Sequence, residues 1–291
     1  MGKISKDKRD IYYRLAKQNG FRSRSAFKIK QIHDFFKIFD SCKYIVDLCA
    51  APGGWSQVAS EILSQQSSDY KLISIDLQEM APLDGVDILI GDITSQSTLN
   101  EILYRTEGKL IDLVMCDGAP DVTGFNEFDV FIQFQLIFSA VNISLRMLKE
   151  GGVFITKIFK GKYTTKVIAT LLKFFKKVTI AKPRACRNAS FESFLVCEGF
   201  YIDYENEIIK TLRNNKLQED DIFQLNCLVQ DEDINLDSLG VELVQVGQDE
   251  YDSDKTYDLS CTNYTTLIQP LQAPINPPYQ FYINNLKGKN I

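Results

Sequence analysis

The sequence contains few of the side chains that usually build metal sites and hydrolytic triads. Its 291 residues include one histidine, His33, and one tryptophan, Trp55. Seven cysteines are scattered without a CxxC pair, a pattern typical of reduced thiols in a cytosolic or nuclear protein. A single histidine leaves little scope for a His-rich metal site or a serine–histidine triad. We therefore expect no metal site.

Long hydrophobic runs are also missing. No uninterrupted apolar run reaches the roughly 18 residues that a membrane helix needs, and the first ten residues, MGKISKDKRD, carry acids and no apolar core. Such a start does not resemble a signal or transit peptide. Lys6 stands where a myristoylation signal needs Ser or Thr. We therefore expect a globular protein with a cytoplasmic location.

Charge is distributed unevenly along a chain whose net charge is −5. Residues 201–258 hold sixteen acids and four bases. Residues 1–30 hold two acids and ten bases, namely Lys3, Lys6, Lys8, Arg9, Arg14, Lys17, Arg22, Arg24, Lys28 and Lys30. Aromatic residues alternate with these bases, at Tyr12, Tyr13, Phe21 and Phe27. That mixture suits phosphate contacts and stacking on exposed bases, although a solvated basic face is the simpler alternative.

Hydrophobic patterning predicts alternating strands and helices. The predicted strands are 44–48, 71–77, 86–91, 110–116, 152–159, 177–182 and 193–199. The predicted helices are 22–38, 55–64, 95–104, 127–148 and 164–175, the first of them capped by Ser23 or Ser25. This order indicates a doubly wound α/β sheet, in which ligands bind at the carboxyl ends of the strands.

The stretch YIVDLCAAPGGW, residues 44–55, reads as a strand that turns through glycines into a helix. Gly53 and Gly54 would let the backbone approach a ligand closely, beside the free N–H groups of a helix start. The turn matches neither GxGxxG nor GxxxxGK[ST], so it does not indicate a dinucleotide or a P-loop site. A tight turn beside a core tryptophan is the alternative.

Four predicted strands end in an aspartate: Asp47, Asp76, Asp92 and Asp117. An acid in the position of Asp76, 23 residues after Gly53, usually meets ribose hydroxyls in nucleoside sites. Asp92 is placed to accept a hydrogen bond from an adenine amino group. Any one of the four could simply form a turn, but four at one edge predict a nucleoside site.

Six segments together make the chain resemble the FtsJ/RrmJ-type ribose 2′-O-methyltransferases over about residues 3–200. They are RSRSAFKIKQI, DLCAAPGGWSQV, DIT, DGAPDVTG, GGVFITKIFKG and KPRACRNASFESFLV. RDIYYRLAK and PLQAPINPPY favour the eukaryotic cytosolic branch that acts on the tRNA anticodon loop. The resemblance implies a Rossmann-like S-adenosylmethionine-dependent methyltransferase fold, with a seven-stranded, mostly parallel sheet and helices on both faces.

The resemblance also implies site residues. The family's catalytic Lys-Asp-Lys-Glu tetrad corresponds to Lys28, Asp117, Lys157 and Glu192. Its contacts to S-adenosylmethionine, which becomes S-adenosyl-L-homocysteine, correspond to Gly53, Gly54, Trp55, Asp76, Asp92 and Asp117. Burial and Lys28 would lower the pKa of Lys157, while Asp117 and Glu192 would raise it. The sequence therefore leaves open whether Lys157 removes a proton or stays cationic.

The implied substrate is tRNA, methylated on ribose at positions 32 and 34 of the anticodon loop or at one of them. The basic first thirty residues would hold phosphates, with Lys182, Arg184 and Arg187 near the exit of the site. The family also implies a helper subunit of the WD-repeat or helical-repeat type. The alternatives are an rRNA or mRNA-cap 2′-O-methyltransferase, and a non-catalytic RNA-binding scaffold on the same fold.

Composition divides the chain into three parts. Residues 1–200 form the expected methyltransferase domain with its basic RNA-binding segment. Residues 201–260 form an acidic insertion or appendage, in part disordered, which is either solvated or a docking surface. Residues 261–291 are proline-rich and are expected to pack as an extended strap.

Overall fold

A computed structural model describes residues 10–119, 126–201, 236–248, 251–255 and 257. An eight-stranded sheet in the order β3-β2-β1-β4-β5-β7-β6-β8 organises the described chain. The strands are β1 (Tyr44–Leu48), β2 (Lys71–Asp76), β3 (Val86–Ile90), β4 (Ile111–Cys116), β5 (Leu148–Phe159), β6 (Phe175–Pro183), β7 (Glu192–Phe200) and β8 (Glu242–Val246). The helices are α1 (Ile11–Gln18), α2 (Ala26–Phe36), α3 (Gly54–Gln66), α4 (Gln96–Arg105), α5 (Asn126–Met147) and α6 (Thr164–Leu171), and a 3₁₀ turn covers Leu236–Leu239.

The sheet is mostly parallel, as the sequence predicts. Strands β1 to β5 run parallel to one another. Strand β7 runs antiparallel to both β5 and β6, and β8 runs parallel to β6. Central strands with apolar residues on both faces need cover on both faces. Strand β4, with all six residues buried, shows this most clearly. Because β1 to β5 are parallel, their carboxyl ends meet along one edge of the sheet.

Helices cover the two faces of the sheet separately. One apolar cluster joins α4, α5 and α6 to the sheet, and another joins α2 and α3 to the opposite face. Helix α5 is long and apolar enough to cross a membrane, but 72% of its most apolar stretch is buried inside the fold. It is the core helix of the first cluster, in contact with β4 and β5.

Two elements differ from the expectation. Helix α1, capped by the Asp10 carboxylate on Tyr13 N, lies where only a basic RNA-binding segment was predicted. Strand β8 makes the sheet eight-stranded rather than seven-stranded, since residues 242–246, predicted to belong to an acidic appendage, pair with β6. The rest of the predicted 201–260 part lies largely outside the described residues, and the predicted 261–291 strap lies wholly outside them.

Candidate active site

A cleft of about 500 Å³ opens at the edge where the parallel strands end. Its lining includes three of the predicted aspartates, Asp76, Asp92 and Asp117, together with Lys157. Asp76 is the last residue of β2, Asp92 and Asp117 come after β3 and β4, and Lys157 lies within β5. The ends of parallel strands therefore bring them to one edge of the sheet. The lining combines polar and apolar surface, as sites for nucleoside-sized ligands usually do.

Asp76 is the last residue of β2, and each of its carboxylate oxygens accepts a backbone hydrogen bond. Oδ2 accepts a hydrogen bond from Ala51 N at 2.8 Å, and Oδ1 accepts one from Gln78 N at 2.8 Å. Each oxygen keeps a second acceptor position. The carboxylate is therefore oriented by backbone on one side and can accept two hydroxyl donors, such as a ribose diol, on the other.

Asp92 is exposed and shapes the turn after β3. Its Oδ1 accepts hydrogen bonds from Thr94 N and Thr94 Oγ1, both at 2.8 Å. This is the turn-forming role named as its alternative. Its predicted hydrogen bond to an adenine amino group stays a prediction, and Asp92 does line the cleft.

Asp47 differs from the other three strand-terminal aspartates. It is fully buried, accepts a hydrogen bond from the Ser56 hydroxyl, and does not line the cleft. Burial raises its pKa to about 7. Ser56 also contacts Ser74 Oγ at 2.7 Å, so Asp47 and Ser56 join β1, α3 and β2 beneath the site.

The glycine turn packs against protein in this structure. Gly53 has φ +102°, and a Cβ there would lie 3.1 Å from Leu83 and 3.2 Å from Arg22. A Cβ on Gly54 would clash with Ser23 Oγ. Because the two glycines have no side chain, the segment that precedes α2 can pack closely against them. Neither glycine lines the cleft. Their predicted contacts with a cofactor stay predictions.

Trp55 is buried, with 2% of its surface exposed, and does not line the cleft either. Its Nε1 donates to Ser25 Oγ at 2.9 Å and to Ser25 O at 3.2 Å. The Ser25 hydroxyl in turn donates to Asp117 Oδ2. Ser25 was predicted as a helix cap, but it makes no capping bond. It orients Asp117 instead, a role that no sequence motif indicated.

The four residues of the predicted tetrad meet as two ion pairs. Lys157 Nζ donates to Asp117 Oδ1 at 3.0 Å and to Asp117 O at 2.7 Å. Lys28 Nζ donates to Glu192 Oε1 at 2.6 Å. Lys28 and Lys157 are each 9% exposed, which ordinary surface lysines are not. The structure therefore brings α2, β4, β5 and β7 together at this point.

Strand register explains how Glu192 comes near Lys157. Lys157 of β5 lies opposite Phe194 of β7, and Glu192 is two residues from Phe194. Residues two apart on a strand share a face, so Glu192 is the diagonal neighbour of Lys157. The centroid of the Phe194 ring lies 5.5 Å from that of Trp55 and 5.8 Å from Lys28 Nζ.

The charges within the tetrad reinforce each other. Burial alone would raise the pKa of Asp117, but Lys157 and Lys28 outweigh burial and hold that pKa below its usual range. Burial alone would lower the pKa of Lys157, but Asp117 and Glu192 outweigh it and raise that pKa above its usual range. Both groups are therefore charged at neutral pH.

Several basic residues expected to hold phosphates are occupied within the protein. Arg22 donates to the carbonyls of Pro52, Ala81 and Pro82 at 3.2, 2.7 and 2.6 Å. Arg24 bonds Asp10 and the Ala185 carbonyl, and buried Arg14 donates to Tyr257 O at 3.1 Å.

Other aromatic and basic residues near the site also contact the protein itself. Tyr12 is 3% exposed and packs on Phe27, so it cannot stack on a nucleobase. Lys182 donates to Ser190 O at 2.6 Å and Glu192 O at 2.7 Å, which places it beside the tetrad. Arg187 lies 3.5 Å from Asp10, and Arg184 N donates to Val246 O at 2.9 Å. Among the described residues, no group of three or more His, Cys, Asp or Glu is arranged to hold a metal ion.

A family model described as FtsJ-like methyltransferase matches residues 21–200, which include all four tetrad residues. The chain belongs to this family. The resemblance inferred from the motifs is thereby confirmed, and so is the Rossmann-like methyltransferase fold. The family match begins at the segment that carries Arg22, Ser25 and Lys28, and it ends at the end of β7.

Curated relatives of this FtsJ-like methyltransferase are named as tRNA-modifying enzymes. A Mus musculus protein named tRNA (cytidine(32)/guanosine(34)-2′-O)-methyltransferase is 46% identical over 96% of the chain and 85% of its own length. A Schizosaccharomyces pombe protein of the same name is 40% identical over 96% of both chains. A Drosophila melanogaster protein named tRNA (guanosine(34)-2′-O)-methyltransferase is 38% identical over the whole chain and 90% of its own length.

A solved structure supports the same fold. A Plasmodium falciparum protein, provisionally described as a ribosomal RNA methyltransferase, superposes with a TM-score of 0.55 at 26% identity. The match covers 62% of this FtsJ-like methyltransferase and 98% of the Plasmodium chain.

Proposed function

We propose that this FtsJ-like methyltransferase transfers the methyl group of S-adenosylmethionine to ribose 2′-hydroxyls of the tRNA anticodon loop, at nucleotide 32, nucleotide 34 or both. The observation that carries the proposal is the pair of buried ion pairs, Lys157–Asp117 and Lys28–Glu192, at the border of the cleft. The relatives' names support the choice of tRNA and of these two positions.

The cleft fits S-adenosylmethionine in size and in donor chemistry. Its volume of about 500 Å³ lies in the range of small-molecule sites. Asp76 would hold the ribose hydroxyls through its free acceptor positions, and Asp92 would hold the adenine amino group. Asp117 and Lys157 lie on the lining and in the tetrad at once, so the end of the cleft meets the catalytic residues.

S-adenosylmethionine supplies an electrophilic methyl group on a sulfonium, which a ribose hydroxyl can attack only as its proton leaves. Lys157 is charged at neutral pH, because Asp117 and Glu192 outweigh burial and raise its pKa. A fixed ammonium stabilises the negative charge that develops on the attacking 2′-oxygen. We therefore assign Lys157 the role of a cationic stabiliser. As the 2′-oxygen bonds to the methyl carbon, the carbon–sulfur bond would break, S-adenosyl-L-homocysteine would leave, and the hydroxyl proton would pass to water.

Lys28 and Glu192 complete the arrangement. Glu192 contributes to the raised pKa of Lys157, and its own partner Lys28 limits the negative charge that would otherwise repel RNA phosphates. Holding the acceptor hydroxyl in line with the methyl group can supply much of the barrier reduction. Lys28, Lys157 and Glu192 lie in three separate elements, and Asp117 directly follows β4, so their positions depend on the folded core.

Mapping 2′-O-methylated nucleotides in all RNA from cells with and without the protein tests this proposal. Loss at tRNA nucleotides 32 or 34 is the expected result. Loss at an rRNA or mRNA-cap site instead would favour the alternative methyltransferase substrates. No lost site anywhere would favour a non-catalytic RNA-binding scaffold.

Two expectations from the sequence join this proposal without structural support of their own. One is a helper subunit of the WD-repeat or helical-repeat type that selects the nucleotide, and the other is a cytoplasmic location. Co-purification of the tagged protein with its partners, and imaging of the same tagged protein, would test them.

A further inference from the structure

Phe191 directly precedes the tetrad residue Glu192 and is 64% exposed. Among the phenylalanines whose exposure the structure describes, none is more exposed; Phe35 follows at 56% and Phe131 at 44%. A single exposed aromatic ring needs no explanation by itself. Its place is what requires one, because it lies at the edge of the sheet where the tetrad and the cleft are found.

The backbone on both sides of Phe191 is held firmly. Phe191 O accepts a hydrogen bond from Lys160 N at 2.9 Å, which continues the β5–β7 ladder past its last pair. The ammonium of Lys182 donates to Ser190 O at 2.6 Å and to Glu192 O at 2.7 Å, the carbonyls before and after Phe191. An exposed ring on a fixed backbone loses little conformational entropy when a ligand covers it.

The direction of the chain indicates which part of a substrate the ring would meet. Neighbouring residues of an extended chain point to opposite faces, so Phe191 lies beside the tetrad and not over it. A ribose that is being methylated must reach Lys157, whereas the base of an adjacent nucleotide would extend along the rim. Lys160, whose backbone N bonds Phe191 O, and nearby Lys162 add positive charge to this part of the chain, which suits RNA phosphates.

We infer that Phe191 is a positioning residue that stacks on the unpaired base of a nucleotide adjacent to the methylated one. This inference rests on the proposed function, because it takes the substrate to be an RNA loop. Single-stranded bases in loops are commonly held by stacking on aromatic side chains, which tolerates any base and fixes register. Phe191 thereby helps to decide which ribose of the loop reaches Lys157.

The test uses Phe191→Ala, Phe191→Trp and the control Phe35→Ala, with anticodon-stem-loop RNA and the complete protein. Phe35 is similarly exposed, but it lies seven residues along α2 from Lys28, about 10 Å of helix. We expect Phe191→Ala to raise KM for the RNA about tenfold, with the KM for S-adenosylmethionine unchanged. Phe191→Trp should restore the wild-type KM, and Phe35→Ala should not change it. An unchanged RNA KM in Phe191→Ala would overturn the inference.

A second measurement needs no turnover and so separates this inference from the proposed function. A 2-aminopurine base is placed next to nucleotide 32 or 34, and its fluorescence is followed as protein is added. Quenching by wild type and Phe191→Trp, but not by Phe191→Ala, is expected even if the wild type methylates no tRNA. Equal quenching by all three proteins would overturn the inference while leaving the proposed function intact.

A protein partner is the competing occupant of this ring. The tagged wild type and Phe191→Ala are purified from their own cells, and the co-purifying proteins are compared. Loss of a protein from the Phe191→Ala sample, together with an unchanged RNA KM, would assign Phe191 to a protein interface and would contradict the inference.

Discussion

At the scale of the residue, Lys157 is held as a cation by the groups around it. Asp117 bonds its ammonium through a carboxylate oxygen and through its carbonyl, and Glu192 lies diagonally across the β5–β7 pair. The sequence identified these residues through a family resemblance but left the direction of the pKa of Lys157 open. The structure decides it, because that direction depends on distances between residues that are far apart in the chain.

The charge state of Lys157 predicts the pH dependence of the chemical step. The pKa of Lys157 is raised and the pKa of Asp117 is lowered, so both groups stay charged over the neutral range. We expect the single-turnover rate at saturating substrates to be constant between about pH 7 and 9. A rate that instead rose tenfold per pH unit would contradict proton transfer to water during the chemical step, and a rapid-quench assay measures it.

Ser25 supplies a second residue-level prediction. Its hydroxyl donates to Asp117 and accepts from Trp55, so Ser25→Ala removes one of the bonds that orient Asp117. Hydrogen bonds to charged groups contribute about 1.5–3 kcal/mol, so we expect the rate of methyl transfer to fall about tenfold or more. Ser25→Thr keeps a hydroxyl and should retain most of the activity.

Ser64→Ala is the control for Ser25, because it removes an exposed hydroxyl that bonds only the nearby Glu61 carbonyl. Equal rates for Ser25→Ala, Ser64→Ala and wild type would show that Ser25 does not position Asp117.

At the scale of the element, local patterns predicted most of the sheet but not its last strand. All seven predicted strands are present, because apolar, β-branched runs mark buried strands. Strand β8 was missed because it pairs with β6, about sixty residues earlier, and its sequence ELVQV is short and mostly exposed. The glycine turn was recognised, but its contacts with Arg22 and Ser23 depend on a segment thirty residues away.

The segment that precedes α2 leads to a prediction about the free energy of unfolding. Arg22 ties it to the carbonyls of Pro52, Ala81 and Pro82, three bonds that a lysine cannot reproduce. We expect Arg22→Lys to lower the free energy of unfolding by about 1–2 kcal/mol, measured by urea titration. Lys30→Ala, which loses only an exposed pair at 4.0 Å, should change it by less than about 0.5 kcal/mol. Equal midpoints for both variants would contradict the role given to Arg22.

At the scale of the whole molecule, the net charge does not describe the local charge of the amino-terminal segment. The net charge of −5 coexists with ten bases in the first thirty residues. The structure divides those bases, since Arg14, Arg22, Arg24 and Lys28 bond other parts of the protein. The sequence alone could count the charges, but it could not separate the ones that hold the fold from those left to meet phosphates.

The basic sequence of residues 1–9, which lie outside the described residues, predicts the salt dependence of RNA binding. Each phosphate contact contributes about 0.7–0.9 to the slope of log K against log salt. We expect replacing Lys3, Lys6, Lys8 and Arg9 by alanine to reduce that slope by about 3, measured by filter binding to tRNA at several salt concentrations.

The matched control replaces Lys43, Lys71, Lys109 and Lys149 by alanine. This replacement changes the net charge by the same amount. The four lysines lie at the amino edge of the sheet, where each is paired with an acid. Their replacement should leave the slope unchanged. An equal effect of both variants would show that RNA responds to total charge and not to the basic segment.

The central claim is that Lys157 and its partners methylate ribose in the tRNA anticodon loop. The most direct measurement is mass spectrometry of anticodon-loop fragments from cells lacking the protein, supplied with either wild type or Lys157→Ala. We expect 2′-O-methylation at nucleotide 32 or 34 to return with the wild type and to stay absent with Lys157→Ala, although that variant still binds S-adenosylmethionine. Full methylation with Lys157→Ala, or no difference at either nucleotide when the protein is removed, would contradict the account.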